Sequence, residues 1–242
     1  VKAAFDLAQS VFGGVDFVFA NAGINGNAPL PLHKKPADEI KDVVAINTLG
    51  SIFTLRHAVP AFKKRGGGAI VFTSSILAHQ NHKSSTAMAK MGLGGGGSLA
   101  YQAAKAGVDM LSRGAGQYST IGIRSYSLQV GYTETEMLEN TARQASSMTG
   151  ADVPTSSFGA NNIFFDRPGA AVHVGEVALA LFDGSSEYQP GQTIIVDGDA
   201  TADATAWTSA YDSPLDTFTG LPDRETALKL MRDVKGRPYP GK

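Results

Sequence analysis

The 242-residue chain predicts an α/β protein built on a doubly wound parallel sheet. Three observations predict it. Helical and strand patterns alternate along most of the chain, the strand candidates are short and almost continuously apolar, and glycines fall where helices should end. Apolar runs without polar alternation mark strands covered on both faces, as in parallel sheets sandwiched between helices. A composition of 43% hydrophobic and 18% charged residues suits one globular unit.

The elements follow in order. Ala3, Ala4, Leu7 and Val11 recur at helical spacing until Gly13 and Gly14, and Val15 to Ala20 then reads as an interior strand. A helix is expected from about Pro36 to Lys64, broken or kinked near Pro60, with Ile40, Val43, Val44, Ile46, Leu49, Ile52 and Phe53 on one face. Gly66 to Gly68 turn into the strand "AIVFTSS". A polar, glycine-rich loop precedes a helix from about Ser98 to Tyr118, and "IGIRSYSLQVG" supplies a strand ending at Gly131. Residues 132 to 168 show little periodicity and are expected to form a mobile flap, with Met137, Leu138, Met148, Phe158, Phe164 and Phe165 as an apolar cover. A helix near Gly175 to Phe182 and the strand "QTIIVDG" at 192 to 198 complete the core.

Four strands match the second half of a Rossmann-like sheet of order 3-2-1-4-5-6. On that reading the first three strands are missing and Val15 to Ala20 lies at an unprotected apolar edge, so a fragment of a longer protein is expected. Residues 1 to 199 then form a partial domain without its N-terminal glycine-rich loop. Residues 200 to 242 form an extension with one helix, from Asp223 to about Val234.

A net charge of -1 with no long basic run offers nothing for nucleic acid or an anionic membrane, and no apolar run approaches the ~20 residues of a membrane span. The absence of cysteine removes thiolate chemistry and fits a reducing compartment, hence a cytoplasmic expectation. A small-molecule partner is expected.

The stretch "GLGGGGSLAYQAAK" at 92 to 105 holds two competing signals. Gly92, Gly94 and Gly97 fit G-x-G-x-x-G, but that fingerprint works only directly after a strand, and sixteen residues separate it from Ser75. An inserted loop is the better reading. His79 and His82 share that loop without a supporting ligand set, so they read as solvated and no metal site is expected. Tyr101 and Lys105 sit four apart on one helix face. A tyrosine acting near neutral pH needs its pKa of ~10 lowered about three units, and an ammonium ~4 Å away supplies enough only in a covered, low-dielectric site.

Here the sequence resembles the short-chain dehydrogenase/reductase family. "ANAG" at 20 to 23, "INTLG" at 46 to 50, "IVFTSS" ending at Ser75, "YQAAKAG", "GIRSYSLQVGYTET" and "GQTIIVDG" follow the family's motifs in order. The resemblance implies an alcohol/carbonyl oxidoreductase using NAD or NADP, with Asn47, Ser75, Tyr101 and Lys105 catalytic. Tyr101 would exchange the proton and Lys105 would lower its pKa and hold the ribose. Ser75 would bind the substrate oxygen, with Ser74 its possible substitute, and Asn47 would anchor a water. Asn21, Ala22 and Gly23 would line the adenosine side, and Val130, Gly131, Thr133 and Thr135 the nicotinamide side, with Tyr101 and Lys105 also touching the cofactor. The 26 positions from Ser75 to Tyr101 are about twice the family's usual number, and Val130 and Tyr126 replace its Pro and Asn. A homo-oligomer, dimer or tetramer, is also implied. The alternatives are an extended nucleotide-sugar epimerase or dehydratase, and a truncated, non-catalytic binding or assembly module.

Overall fold

A computed structural model describes residues 1–28, 30–79, 99–158 and 168–197. The glycine run at 92 to 97, His82, Phe164, Phe165 and the tail helix expected at 223 to 234 lie outside them. The order of the main elements is α1 (Lys2–Phe12), β1 (Phe17–Ala20), α2 (Ala37–Val44), α3 (Gly50–Arg65), β2 (Gly68–Ser75), α4 (Leu99–Ala115), β3 (Ile123–Val130), α5 (Glu136–Thr149), α6 (Ala171–Asp183) and β4 (Thr193–Val196). The four strands pair in parallel in the order β1-β2-β3-β4.

Helices cover both faces. On one, Ala58 and Phe62 of α3 and Val108 of α4 pack on Ile70, Phe72 and Ile123. On the other, Ala178 and Leu181 of α6 pack on Val71, Tyr126, Leu128 and Ile194. Residues 69 to 72 of β2 are fully buried, as its unbroken apolar run requires. The parallel α/β sheet is therefore as the sequence predicts.

Two local expectations are corrected. First, the long helix does not break at Pro60, which lies exposed inside α3. It is interrupted at Ala45–Leu49, one π-helical turn around the buried Asn47. Its inward stripe is Val43, Asn47, Ser51, Ala58 and Phe62, while Val44, Ile46, Leu49, Ile52 and Phe53 are 38–44% exposed. Two inward positions are polar, so hydrophobicity alone picks the wrong face.

Second, the region after Gly131 contains a regular helix, α5, whose first turn is capped by the Thr135 hydroxyl accepting from the Leu138 amide. Its buried residues, Leu138, Ala142 and Ala145, follow helical spacing, but two of the three are alanines that leave a weak periodic signal.

β1 pairs with β2 along one side, and among the described residues no strand pairs with its other side. Phe17 is 51% exposed and rests on Phe182 of α6, ring to ring at 5.2 Å. Among the described residues no helix is long and apolar enough to cross a membrane.

Candidate active site

The C-terminal ends of β1, β2 and β3 deliver Asn21–Gly23, Thr73–Ser75 and Val130–Thr133 to one cleft of about 540 Å³. That is where an open parallel sheet places a ligand, and the volume is that of a small-molecule site. Tyr101 and Lys105 enter from α4; Met137, Leu138 and Thr141 of α5 and Val174 of α6 form the outer wall. The structure thus brings together Asn21, Ala22, Gly23, Ser75, Tyr101, Lys105, Val130, Gly131, Thr133 and Thr135 around one space.

Ser75 and Ser74 part company at the end of β2. Ser75 accepts a hydrogen bond from the Leu77 amide and bonds Tyr101, whereas the buried Ser74 hydroxyl donates to the Lys105 carbonyl behind the helix. Alternation along a strand sends neighbouring side chains to opposite faces, so the Ser75 hydroxyl turns toward Tyr101 while that of Ser74 turns behind α4.

Lys105 is 3% exposed, and its ammonium donates to the Thr73 carbonyl at 2.6 Å. It stands 5.6 Å from the centre of the Tyr101 ring, above the face rather than at the hydroxyl. Burial pushes the Tyr101 phenol up to about 12, against the opposing pull of the Ser75 hydrogen bond. This departs from the expectation that Lys105 lowers the phenol's pKa: in the open cleft desolvation dominates. Burial likewise brings Lys105 down to about 8, while the Asp109 carboxylate acts to raise it.

Asn47 is fully buried and its amide is spent on structure. Its Oδ1 accepts from the Ile24 amide, and its Nδ2 donates to the Ile24 and Val43 carbonyls, each at 2.7 Å. The Asn47 carbonyl accepts from Ser51, a residue the sequence offered no reason to single out. Asn47 therefore fastens the loop after β1 to the π-helical turn, close behind Lys105. A Cβ on Gly23 would lie 2.6 Å from the Asn47 Oδ1 and 3.3 Å from the Lys105 Nζ, so this position admits glycine alone.

On the opposite wall, a Cβ on Gly131 would meet Asp197 at 2.7 Å, which makes this glycine a packing requirement of β4. Thr133 Oγ1 donates to the Gly131 carbonyl and Thr135 Oγ1 to the Thr133 carbonyl, fixing the turn that leads into α5. Asn25 donates to Thr141 at 2.7 Å and so latches the β1 loop to α5 across the cleft. Asn25, Thr73 and Thr141 were not among the predicted residues. Backbone carbonyls and loop amides carry no sequence pattern that would mark them.

His79 is not simply solvated. Half exposed, it faces the buried Asp109 carboxylate at 3.5 Å and the Gln129 side-chain amide. Among the described residues no group of three or more His, Asp or Glu could hold a metal ion.

The sheet, its ligand-sized crevice and the polar cluster at the strand ends define an α/β protein of the Rossmann type. Comparison with known proteins gives the family. Residues 1–201 match the family model described as enoyl-(acyl carrier protein) reductase. The chain is 30% identical over 203 residues to cis-4-hydroxycyclohexanecarboxylate dehydrogenase of Sinomonas cyclohexanicum, covering 84% of this chain and 72% of that protein. It is 29% identical over 204 residues to cyclohexanol dehydrogenase of Acinetobacter sp. (strain SE19), covering 84% and 70%. The crystal structure of levodione reductase superimposes with a TM-score of 0.72 at 27% identity, over 84% of this chain and 72% of that one. The chain belongs to the short-chain dehydrogenase/reductase family.

Proposed function

We propose that this chain carries the active site of a nicotinamide-dependent oxidoreductase interconverting a secondary alcohol and a ketone, with Ser75, Tyr101 and Lys105 as its reacting set. The observation that carries the reading is the convergence of Ser75, Tyr101 and the buried Lys105 ammonium on one cleft, with the ammonium 5.6 Å from the centre of the Tyr101 ring. Bound NAD or NADP would supply or accept the hydride. Gly23, Lys105 and Asn21 fit one side of such a ligand, because a bare backbone and an ammonium meet there. Val130, Gly131, Thr133 and Thr135 border the other side.

In the reducing direction Ser75 donates a hydrogen bond to the ketone oxygen and Tyr101 gives up its proton as that oxygen becomes an alkoxide. A phenol near 12 is fully protonated at neutral pH and ready for this role. Lys105, charged below about 8, stabilises the phenolate left behind. Asn47 keeps the loop before Gly23 and the Lys105 pocket in shape.

The substrate class follows from the walls. Ile76, Leu77, Met137, Leu138 and Val174 make them apolar, and two relatives are named for cyclohexane-ring alcohols. An alicyclic alcohol or ketone fits both facts. The proposal includes a homo-oligomer, because exposed Ile46, Leu49, Phe53, Leu99 and Met110 line the helices α3 and α4 and the turn before α3.

The test is nicotinamide absorbance with cyclohexanol and cyclohexanone, using the protein expressed from its complete gene. Turnover should appear, and Tyr101→Phe should lower it by about 10²- to 10⁴-fold, the usual worth of a positioned acid. Undiminished turnover in Tyr101→Phe overturns the assignment.

A further inference from the structure

The face of α4 that carries Tyr101 and Lys105 continues one turn further to Asp109, at spacings of four residues. Asp109 is 4% exposed, and it is not used by the chemistry above. Its Oδ1 accepts from Ser127 at 2.5 Å and its Oδ2 from the Gln129 side chain at 2.7 Å, both partners buried on β3. The His79 imidazole lies 3.5 Å from Oδ2. His79 ends the short helical turn Ile76–Ala78 that starts at Ser75. One carboxylate therefore touches the turn behind Ser75, the helix of Tyr101 and Lys105, and the strand that runs into Gly131.

We propose that Asp109 is a positioning residue of this site: through His79, Ser127 and Gln129 it locks the Ser75 turn, α4 and β3 into one arrangement, one helical turn from Lys105. The inference rests on the oxidoreductase reading above. A buried carboxylate with no structural duty would be costly, and an apolar residue would pack this seam without one. Two neutral donors and a half-exposed imidazole satisfy its oxygens. The Lys105 ammonium stands one turn earlier on the same helix. Around Lys105 stand Tyr101 and Asp109 from its own helix, the Thr73 carbonyl from β2, and the uncharged Asn47 and Gly23. Around Asp109 stand Lys105, His79, Ser127 and Gln129. Removing the Asp109 charge therefore leaves Lys105 without its anionic neighbour, and its proton is held less tightly.

The experiment compares pH profiles of kcat/KM for ketone reduction in wild type, Tyr101→Phe, Asp109→Asn and Ser112→Ala. Ser112 bonds Ser125 at 3.0 Å on the same seam, one turn beyond Asp109, and serves as the structural control. Asp109→Asn should lose roughly tenfold at pH 8 and less at pH 6.5, with the alkaline limb moved about one unit lower. Ser112→Ala should keep the wild-type limb. A wild-type limb in Asp109→Asn, or an equal displacement in Ser112→Ala, overturns the inference while leaving the oxidoreductase reading intact. Survival of turnover in Tyr101→Phe sinks that reading instead. If Asp109→Asn does not fold, His79→Ala reads the same unit from its exposed end: kcat should fall about three- to tenfold with KM little changed, and a wild-type kcat refutes the proposal.

Discussion

The two faces of β3 differ in almost every respect. Tyr126 and Leu128 point into the apolar layer under α6, against Ala178, Leu181 and Ile194. Ser125, Ser127 and Gln129 point the other way, into a polar seam with Ser112 and Asp109 of α4 that opens to solvent at His79. These five β3 side chains are at most 4% exposed. The apolar face contributes cohesion in proportion to the area it hides, whereas the polar face gains little net stability from hydrogen bonds that merely replace those to water. What the polar face adds is direction: each donor fits one acceptor, so α4 is held at one height along the strand, and with it Tyr101 and Lys105.

The comparison can be broken from either side. The largest effect on stability is expected at Leu128→Ala, about 2–5 kcal/mol from lost burial and the cavity left behind. The denaturant midpoint should fall while the pH profile of any turnover keeps its shape. Ser127→Ala comes next, at about 1–3 kcal/mol, because Asp109 keeps its buried oxygen but loses the donor. Here, unlike at Leu128, turnover should fall with stability, and a drop in stability alone would erase the distinction between the faces.

A third expectation concerns pH. The proposed carbonyl reduction uses the proton on Tyr101 and the charge on Lys105, and Lys105, brought down to about 8, loses its proton far below the phenol near 12. The wild-type kcat/KM should therefore decline as pH rises through about 8. A plateau to pH 10 would mean that the Lys105 charge is not required. The smallest effect belongs to Ser112→Ala, up to about 1 kcal/mol with turnover unchanged, since the Ser112–Ser125 pair lies beyond the charged part of the seam.

Much of this was legible in the chain. The apolar runs at β2 and β3 mark sheet strands because only strands covered on both sides need them, and the spacing of Tyr101 and Lys105 places both on one face whatever the fold. The order of the motifs around Asn47, Ser75 and Gly131 carries the family. Less was legible where the inward face is polar. Asn47 and Ser51 turn into the core on the helix whose apolar residues face outward, and the alanine-rich buried face of α5 gives almost no periodicity.

The sequence by itself determined the parallel α/β sheet, the family, and which side chains meet at the strand ends, because those follow from local periodicity and motif order. Tertiary structure decided that Ser75 rather than Ser74 faces the cleft, that burial raises Tyr101 instead of Lys105 lowering it, and that Asp109 reaches the turn behind Ser75. The reason is common to all three: desolvation and hydrogen-bond pairing depend on which elements pack together, and residues as far apart as His79, Asp109 and Gln129 share no pattern until the sheet brings them within reach.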